Sequence, residues 1–185
     1  MNFKVIVAFA TENYGIGKDG KIPWRIPQDL RRFREITSRS MEGKENALIM
    51  GRKTAESIPC ELPRRKKIII STTMPQNGNV LVARNLEQAL RMSANEDVNE
   101  TFVIGGESVY REALRMEGCT EVYTTQVQGS YDCDTVFPLG EMIGAYQLVN
   151  QGEVQESGGI HYRFVDYKRI TKFWIDNLWP TSSLR

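Results

Sequence analysis

Histidine is almost missing from this chain: His161 is the single one among 185 residues. The three cysteines, at 60, 119 and 133, form no Cys-x-x-Cys pair and are odd in number, which leaves a zinc site short of donors and argues against a disulfide framework. Both scarcities fit a reducing interior. Long apolar runs are also lacking, so no stretch approaches a membrane span. The first residues enter a strand pattern rather than a signal peptide, and the expected location is cytoplasmic. No repeat or low-complexity tract breaks the chain, whose length suits one domain with a full core. Net charge is only +1, yet residues 1–95 hold 17 basic against 9 acidic side chains and residues 96–185 hold 7 against 14. A basic first half suits a polyanionic ligand, although chance placement on a solvated surface would look the same. The cations lack the interleaved aromatics expected of a nucleic-acid binder.

What is present centres on Ile22 to Ile36. Pro27 suits the first turn of a helix, where its missing N–H has no partner to lose, and Asp29 sits where the helix dipole favours an anion. Phe33 at i+4 and Ile36 at i+7 share the face of Asp29, so its carboxylate is expected to be partly buried. Arginines 31, 32 and 34 are expected mostly on the other side. An acid on an apolar face needs a polar partner from elsewhere, and a bound ligand is one candidate; a first-turn acid that merely compensates the dipole is the other.

Around this helix the chain alternates. Phe3 to Ala10 reads as a strand buried on both faces. Thr11 to Lys21, with Gly15, Gly17 and Gly20, reads as a loop; it is not a dinucleotide fingerprint, because no helix follows it. Thr37 to Glu45 is an expected exposed connection. A strand over 46–50 runs into Gly51-Arg52-Lys53-Thr54 and a helix-like segment ending at Pro59, an anion-ready junction that lacks the P-loop frame. Strands are expected at 68–70, 80–82, 101–104 and 121–127, and helices at 86–92 and 109–114. Gly105-Gly106-Glu107-Ser108 forms a second junction at which backbone N–H groups can reach a phosphate. Residues 146–154 and 160–168 are expected to form a hairpin across 155–159, with His161 structural. The prediction is an α/β single domain with a central, mainly parallel sheet, flanking helices and an antiparallel C-terminal hairpin.

The order of motifs resembles the dihydrofolate reductase family over about residues 3–168: Gly-Ile-Gly-x-x-Gly-x-Ile-Pro-Trp, the helical Asp five residues after the Trp, Met-Gly-Arg-Lys-Thr, Leu-Pro-x-Arg, Ile-Ile-Ile-Ser, Ile-Gly-Gly-x-x-Val-Tyr and Asp-Thr-x-Phe-Pro. The resemblance implies that fold, with residues 1–168 as the reductase domain and 169–185 as a tail or linker. By position it implies that Asp29 grips the pterin with Thr125 bonded to it, and that Ile22 and Trp24 belong to a mobile loop closing over the nicotinamide. Val7, Ala8, Leu30, Phe33, Ile58, Leu62, Ile104 and Tyr110 are implied around the substrate, two main-chain carbonyls bonding the pterin's 4-side. Arg65 is implied on the α-carboxylate of its glutamate tail. Ala8, Ile16, Gly17, Gly20, Gly51, Arg52, Lys53, Thr54, Ser71, Thr72, Arg84, Gly105, Gly106, Glu107, Ser108 and Val109 are implied on the cofactor, with the cations selecting NADPH. The small-molecule partners implied are dihydrofolate and antifolates, the metal none, and the assembly a monomer unless fused to or paired with thymidylate synthase.

The implied reaction moves a hydride from nicotinamide C4 to pterin C6 while N5 takes a proton, giving tetrahydrofolate for one-carbon transfer in thymidylate and purine synthesis. Asp29 would orient the pterin and favour its protonated form, with water as donor. Three positions depart from the family pattern: Ala55 stands where an aromatic is usual and should loosen packing behind the cofactor, Glu107 replaces a frequent glycine, and Arg64 replaces a common Gly or Lys. Rival readings are a same-fold pyrimidine reductase of riboflavin synthesis, against which Arg65 and the Trp24–Asp29 spacing argue, and an inactive nucleotide-binding module.

Overall fold

Eight residues, apolar except for Lys4, form β1 (Phe3–Ala10) at the centre of the sheet, where both faces of a strand are covered and β-branched side chains fit the pleat. The computed structural model describes residues 1–58, 61–76 and 80–171. After β1 come β2 (Gly15–Gly17), α1 (Pro27–Ser38), β3 (Glu45–Gly51), α2 (Arg52–Ser57), β4 (Arg65–Ile70), β5 (Leu81–Ala83), α3 (Leu86–Ser93), β6 (Val98–Val103), α4 (Glu107–Arg115) and β7 (Cys119–Val127). The chain continues through β8 (Thr135–Val136), a 3₁₀ turn at Leu139–Met142, β9 (Tyr146–Gln151), β10 (Gln155–Ser157) and β11 (Ile160–Arg169). The main sheet runs β10-β11-β7-β1-β6-β3-β4-β5. From β7 to β5 neighbours are parallel, and β11 is antiparallel to β7, β9 and β10.

Two cores sandwich the sheet. On one side Val5, Val7, Ile49, Ile68 and Val103 meet Leu86 and Leu90 of α3 and Val109, Ala113 and Leu114 of α4. On the other, Ile6, Leu48, Met50, Phe102 and Ile104 take Phe33 and Ile36 from α1, with Ala55, Ile58 and Leu62. Each fully buried aliphatic side chain here stabilises the fold by about 1.5–3 kcal/mol. Asn85 caps α3 by accepting the Gln88 N–H at 2.8 Å. Parallel strands all end on one edge, and the first turns of α1, α2 and α4 gather there.

Several expectations need correction. Thr37 is not exposed: it closes the last turn of α1, fully buried, because its hydroxyl donates to the Phe33 carbonyl at 2.7 Å and accepts from Arg65. The expected 146–154 strand stops at Gln151, beyond which the Gly152 N–H bonds the Phe164 carbonyl at 2.9 Å, and the expected 155–159 connection contains a strand: β10 makes the tight hairpin with β11, while β9 pairs further along it. Arg52, Lys53 and Thr54 lie within α2 rather than before it. The 11–21 loop contains β2, paired with β8, and a Lys18–Lys21 turn in which Asp19 (φ 49°) and Gly20 (φ 73°) are both left-handed. Strand β11 runs one residue past 168, and the Ile170 N–H bonds Ala145 at 2.9 Å. Pro59 and residues 172–185, including Phe173, Trp174, Ile175, Leu178 and Trp179 of the expected tail, lie outside the described residues. Among those described, no helix is long and apolar enough to cross a membrane.

Candidate active site

A helix that begins on proline needs no cap for the missing N–H, and α1 has none: Ile26 precedes it without a side-chain bond, and Asp29 occupies the first turn. That turn abuts the end of β7, where Thr125 lies beside Ala8 of β1 and donates to the Asp29 carboxylate at 2.5 Å. Thr125 is almost fully buried. Burial pushes the Asp29 carboxyl up from its ordinary value, against the downward pull of the Thr125 hydrogen bond and the Arg32 charge. Because the folded value is raised, the folded chain holds more protons than the unfolded one above pH 3.8, so the site costs stability as pH rises through that interval and still does at neutrality. Asp29→Asn keeps an acceptor for Thr125 and should raise Tm at pH 7 by roughly 2–4 °C, equivalent to about 1 kcal/mol in a chain of this size. Thermal melts should show the gain disappearing below pH 4; an unchanged or lower Tm at pH 7 would reject the burial cost.

From Asp29 a cleft of about 2270 Å³ runs along the carboxyl edge of the parallel strands. Near the carboxylate its walls are Ile6, Val7, Ala8, Leu30, Phe33, Ile58, Leu62, Ile104 and Tyr110. The Tyr110 hydroxyl donates to the Ile6 carbonyl at 2.9 Å inside the core, and burial pushes that phenol well above its ordinary range. At the outer mouth Arg65, only 8% exposed, donates to Thr37 Oγ1 at 2.9 Å and to the Pro63 carbonyl at 3.2 Å, with its guanidinium 5.9 Å from the Phe33 ring centre. The Arg-rich run 64–67 therefore delivers one arginine inward, because β4 starts at it and turns it onto α1.

The other end of the cleft is built from the two glycine junctions. Gly51 N–H bonds the Gly105 carbonyl at 2.7 Å, and a Cβ on Gly106 would lie 3.4 Å from Thr54 Oγ1, so the junctions press against each other. Gly105 has φ 117°, a conformation side chains rarely adopt. Arg52, Lys53, Thr54, Ser71, Thr72, Arg84 and Glu107 to Val109 line this end, and Ile16, Gly17, Gly20 and Ile22 the facing loop. Two of these residues serve the backbone directly: Ser71 Oγ accepts the Met74 N–H at 2.9 Å, and Arg84 donates to the Ser71 and Met74 carbonyls at 2.8 and 3.0 Å. Arg52 is paired with Glu56 along its own helix.

Of the anticipated residues, Trp24 and Thr125 do not line the cleft. Thr125 acts from behind through Asp29, whereas Trp24 is buried with Ala10, Ile26, Val127 and Tyr162 and stands edge-on to Tyr131. Ala55 packs against the cluster of Ile6, Leu48, Met50, Phe102 and Ile104. Arg32 was expected to face away; it turns onto the sheet, because an acceptor carbonyl and an acid await it there. Thr37 was missed as the partner of Arg65, since nothing local marks a helix-terminal threonine as buried. Asp134 was also missed: it accepts the Asp19 N–H at 2.9 Å and its own N–H bonds the Gly17 carbonyl, which ties down the facing loop.

A family model described as dihydrofolate reductase matches residues 2–169. A dihydrofolate reductase of Heliothis virescens is 36% identical over 179 residues, covering 89% of this chain and 96% of the relative. One of Aedes albopictus is 33% identical over 186 residues, covering 92% and 98%. A bifunctional dihydrofolate reductase-thymidylate synthase of Glycine max is 42% identical over 180 residues, which is 91% of this chain but 34% of that relative. The chain thus spans about a third of the length of the Glycine max and Daucus carota relatives it matches. A chain matched from its second residue to the end of β11, and at near full length by two relatives of the same name, belongs to the dihydrofolate reductase family.

Proposed function

We propose that the protein reduces 7,8-dihydrofolate to 5,6,7,8-tetrahydrofolate with NADPH. The observation that carries this reading is the Asp29–Thr125 pair, a carboxylate held at 2.5 Å by a buried hydroxyl on the wall of an otherwise apolar pocket. Such a group suits a flat heterocycle with an N–H and an amino group side by side, since the two carboxylate oxygens accept two parallel donors. Family membership supports a nicotinamide cofactor. The far end of the cleft fits one, because the Gly105-Gly106 junction opens α4, whose first-turn N–H groups can meet a pyrophosphate, and Arg52, Lys53 and Arg84 line the same end. Arg52, Lys53 and Arg84 would hold the phosphates, the cations supporting NADPH over NADH. When bound, that cofactor supplies the hydride that reduces the pterin at C6.

The chain's own residues would do the rest. Asp29 orients the pterin and favours the form carrying a proton, which water delivers to N5. Arg65 would pair with the carboxylate of the substrate's tail at the mouth of the cleft. The Gly15–Trp24 loop would close over the reacting rings and exclude bulk water, anchored by β8 and Asp134. Mixing protein, dihydrofolate and NADPH and following the loss of reduced-nicotinamide absorbance tests the reading. Turnover that requires both substrates is expected. Turnover only with a phosphoribosylated pyrimidine, or NADPH binding with no turnover on either substrate, would replace it with one of the two rivals.

A further inference from the structure

One charged pair lies close to Asp29 and outside the cleft. Arg32, one helical turn beyond Asp29, points onto the sheet, where its guanidinium donates to the Thr124 carbonyl at 3.3 Å and pairs with Asp166 of β11. It lies 4.6 Å from the Phe164 ring centre and 5.8 Å from that of Tyr123. Asp166 is held in turn by the Asn150 amide of β9 at 3.1 Å. Both members of the pair are largely sheltered, at 15% and 18% side-chain exposure, so the contact is weakly screened by solvent. The residue whose carbonyl Arg32 grips is followed directly by Thr125. Two successive residues of β7 are therefore tied to α1: Thr124 by Arg32 and Thr125 by Asp29.

We propose that the Arg32–Asp166 pair is a positioning device for Asp29, fixing α1 against β7 and tuning the electric field at the carboxylate without touching substrate. The inference rests on the role given to Asp29 above. Its physical content is that Asp29 feels a cation whose charge is largely, not wholly, cancelled by the acid behind it. Among the described residues, the other titratable groups that feel Asp29 are the phenols of Tyr110 and Tyr162, both pushed upward, so they stay neutral where the carboxyl titrates. Thr125 adds a hydrogen bond but no charge. The balance is thus set by two residues that can be removed one at a time.

Their removal has opposite signs. Arg32→Gln strips the cation and leaves the acid, so the protonated form of the site is favoured and the alkaline limb of the activity profile should move to higher pH. Asp166→Asn exposes the full cation, favours the ionised form and should move the limb to lower pH. Each shift should be at least about half a pH unit, and the double variant should return close to the parent. A tether that acted only by rigidity would move both single variants the same way. The experiment is a carbon NMR titration of the Asp29 side chain in all four proteins, without ligands, alongside the pH dependence of kcat with dihydrofolate and NADPH. Opposite displacements of the carboxyl titration are expected; displacements of one sign, or none in folded variants, overturn the device. Opposite displacements in a protein without turnover would leave the device standing and remove the reductase reading instead.

Discussion

Asp29→Asn is expected to lower kcat with dihydrofolate at pH 7 by about 10²- to 10⁴-fold, the usual worth of a positioned acid–base group. The amide still accepts from Thr125, so the pocket keeps its shape. What it loses is the negative charge that favours a protonated pterin, together with one acceptor for the paired donors. Acid in the medium can replace part of that loss, because substrate protonated in solution needs no help from the site. Activity of the variant should accordingly climb as pH falls below about 5, while the parent changes less. NADPH affinity should stay within about twofold, since the glycine junctions lie at the other end of the cleft. Equal kcat for parent and variant at pH 7 would remove Asp29 from the chemistry altogether.

The second large effect belongs to Gly105→Ala. At φ 117° an alanine is strained before any contact is considered, at a cost of order 1–3 kcal/mol. Its Cβ would also sit 3.1 Å from Cε2, Cζ and Oη of Tyr110. That ring has little freedom to retreat: its hydroxyl is bonded to Ile6 in the core, and its edge packs on Phe137 with 5.5 Å between ring centres. The combined loss should be roughly 2–4 kcal/mol, seen as a fall in Tm of about 5–15 °C, with NADPH binding weakened about tenfold or more in calorimetry. Gly106→Ala is the matched comparison. With φ −85° and its nearest neighbour at 3.4 Å, it should melt within a few degrees of the parent. Similar losses from both substitutions would mean that backbone strain is not what glycine relieves at 105.

Much of this arrangement is legible in the chain because it depends on local rules. Proline at the first helical position, an acid two residues on and apolar side chains one and two turns later put Asp29 on the inner face of α1 without knowledge of the sheet. The strand-glycine-helix junctions at 51 and 105 declare themselves in the same way, as does β1, whose two ends agree with its apolar run. What escapes is what tertiary partners decide. A three-residue strand of Gly-Ile-Gly carries no alternation, so β2 is visible only once β8 lies beside it; the Asp19-Gly20 pair was the available sign of a tight turn there. Arg32 and Thr37 flank the inner face of α1, three residues from Asp29 and four from Phe33, where a helical projection does not decide burial, and partners far away in sequence draw each inward. At Gly152 strand β9 has ended, three residues short of the apolar pattern that runs on to Val154.

That break has a consequence for how the molecule meets its own copies. A sheet ends in rows of unspent backbone donors and acceptors, which another chain can adopt as a template. Here one margin is β5, three residues long, and the opposite one is divided at Gly152 into β10 and β9, three and six residues long. Among the described residues neither border of the large sheet gives an incoming strand more than six consecutive positions, so templated fibre growth is discouraged at both sides by strand length alone.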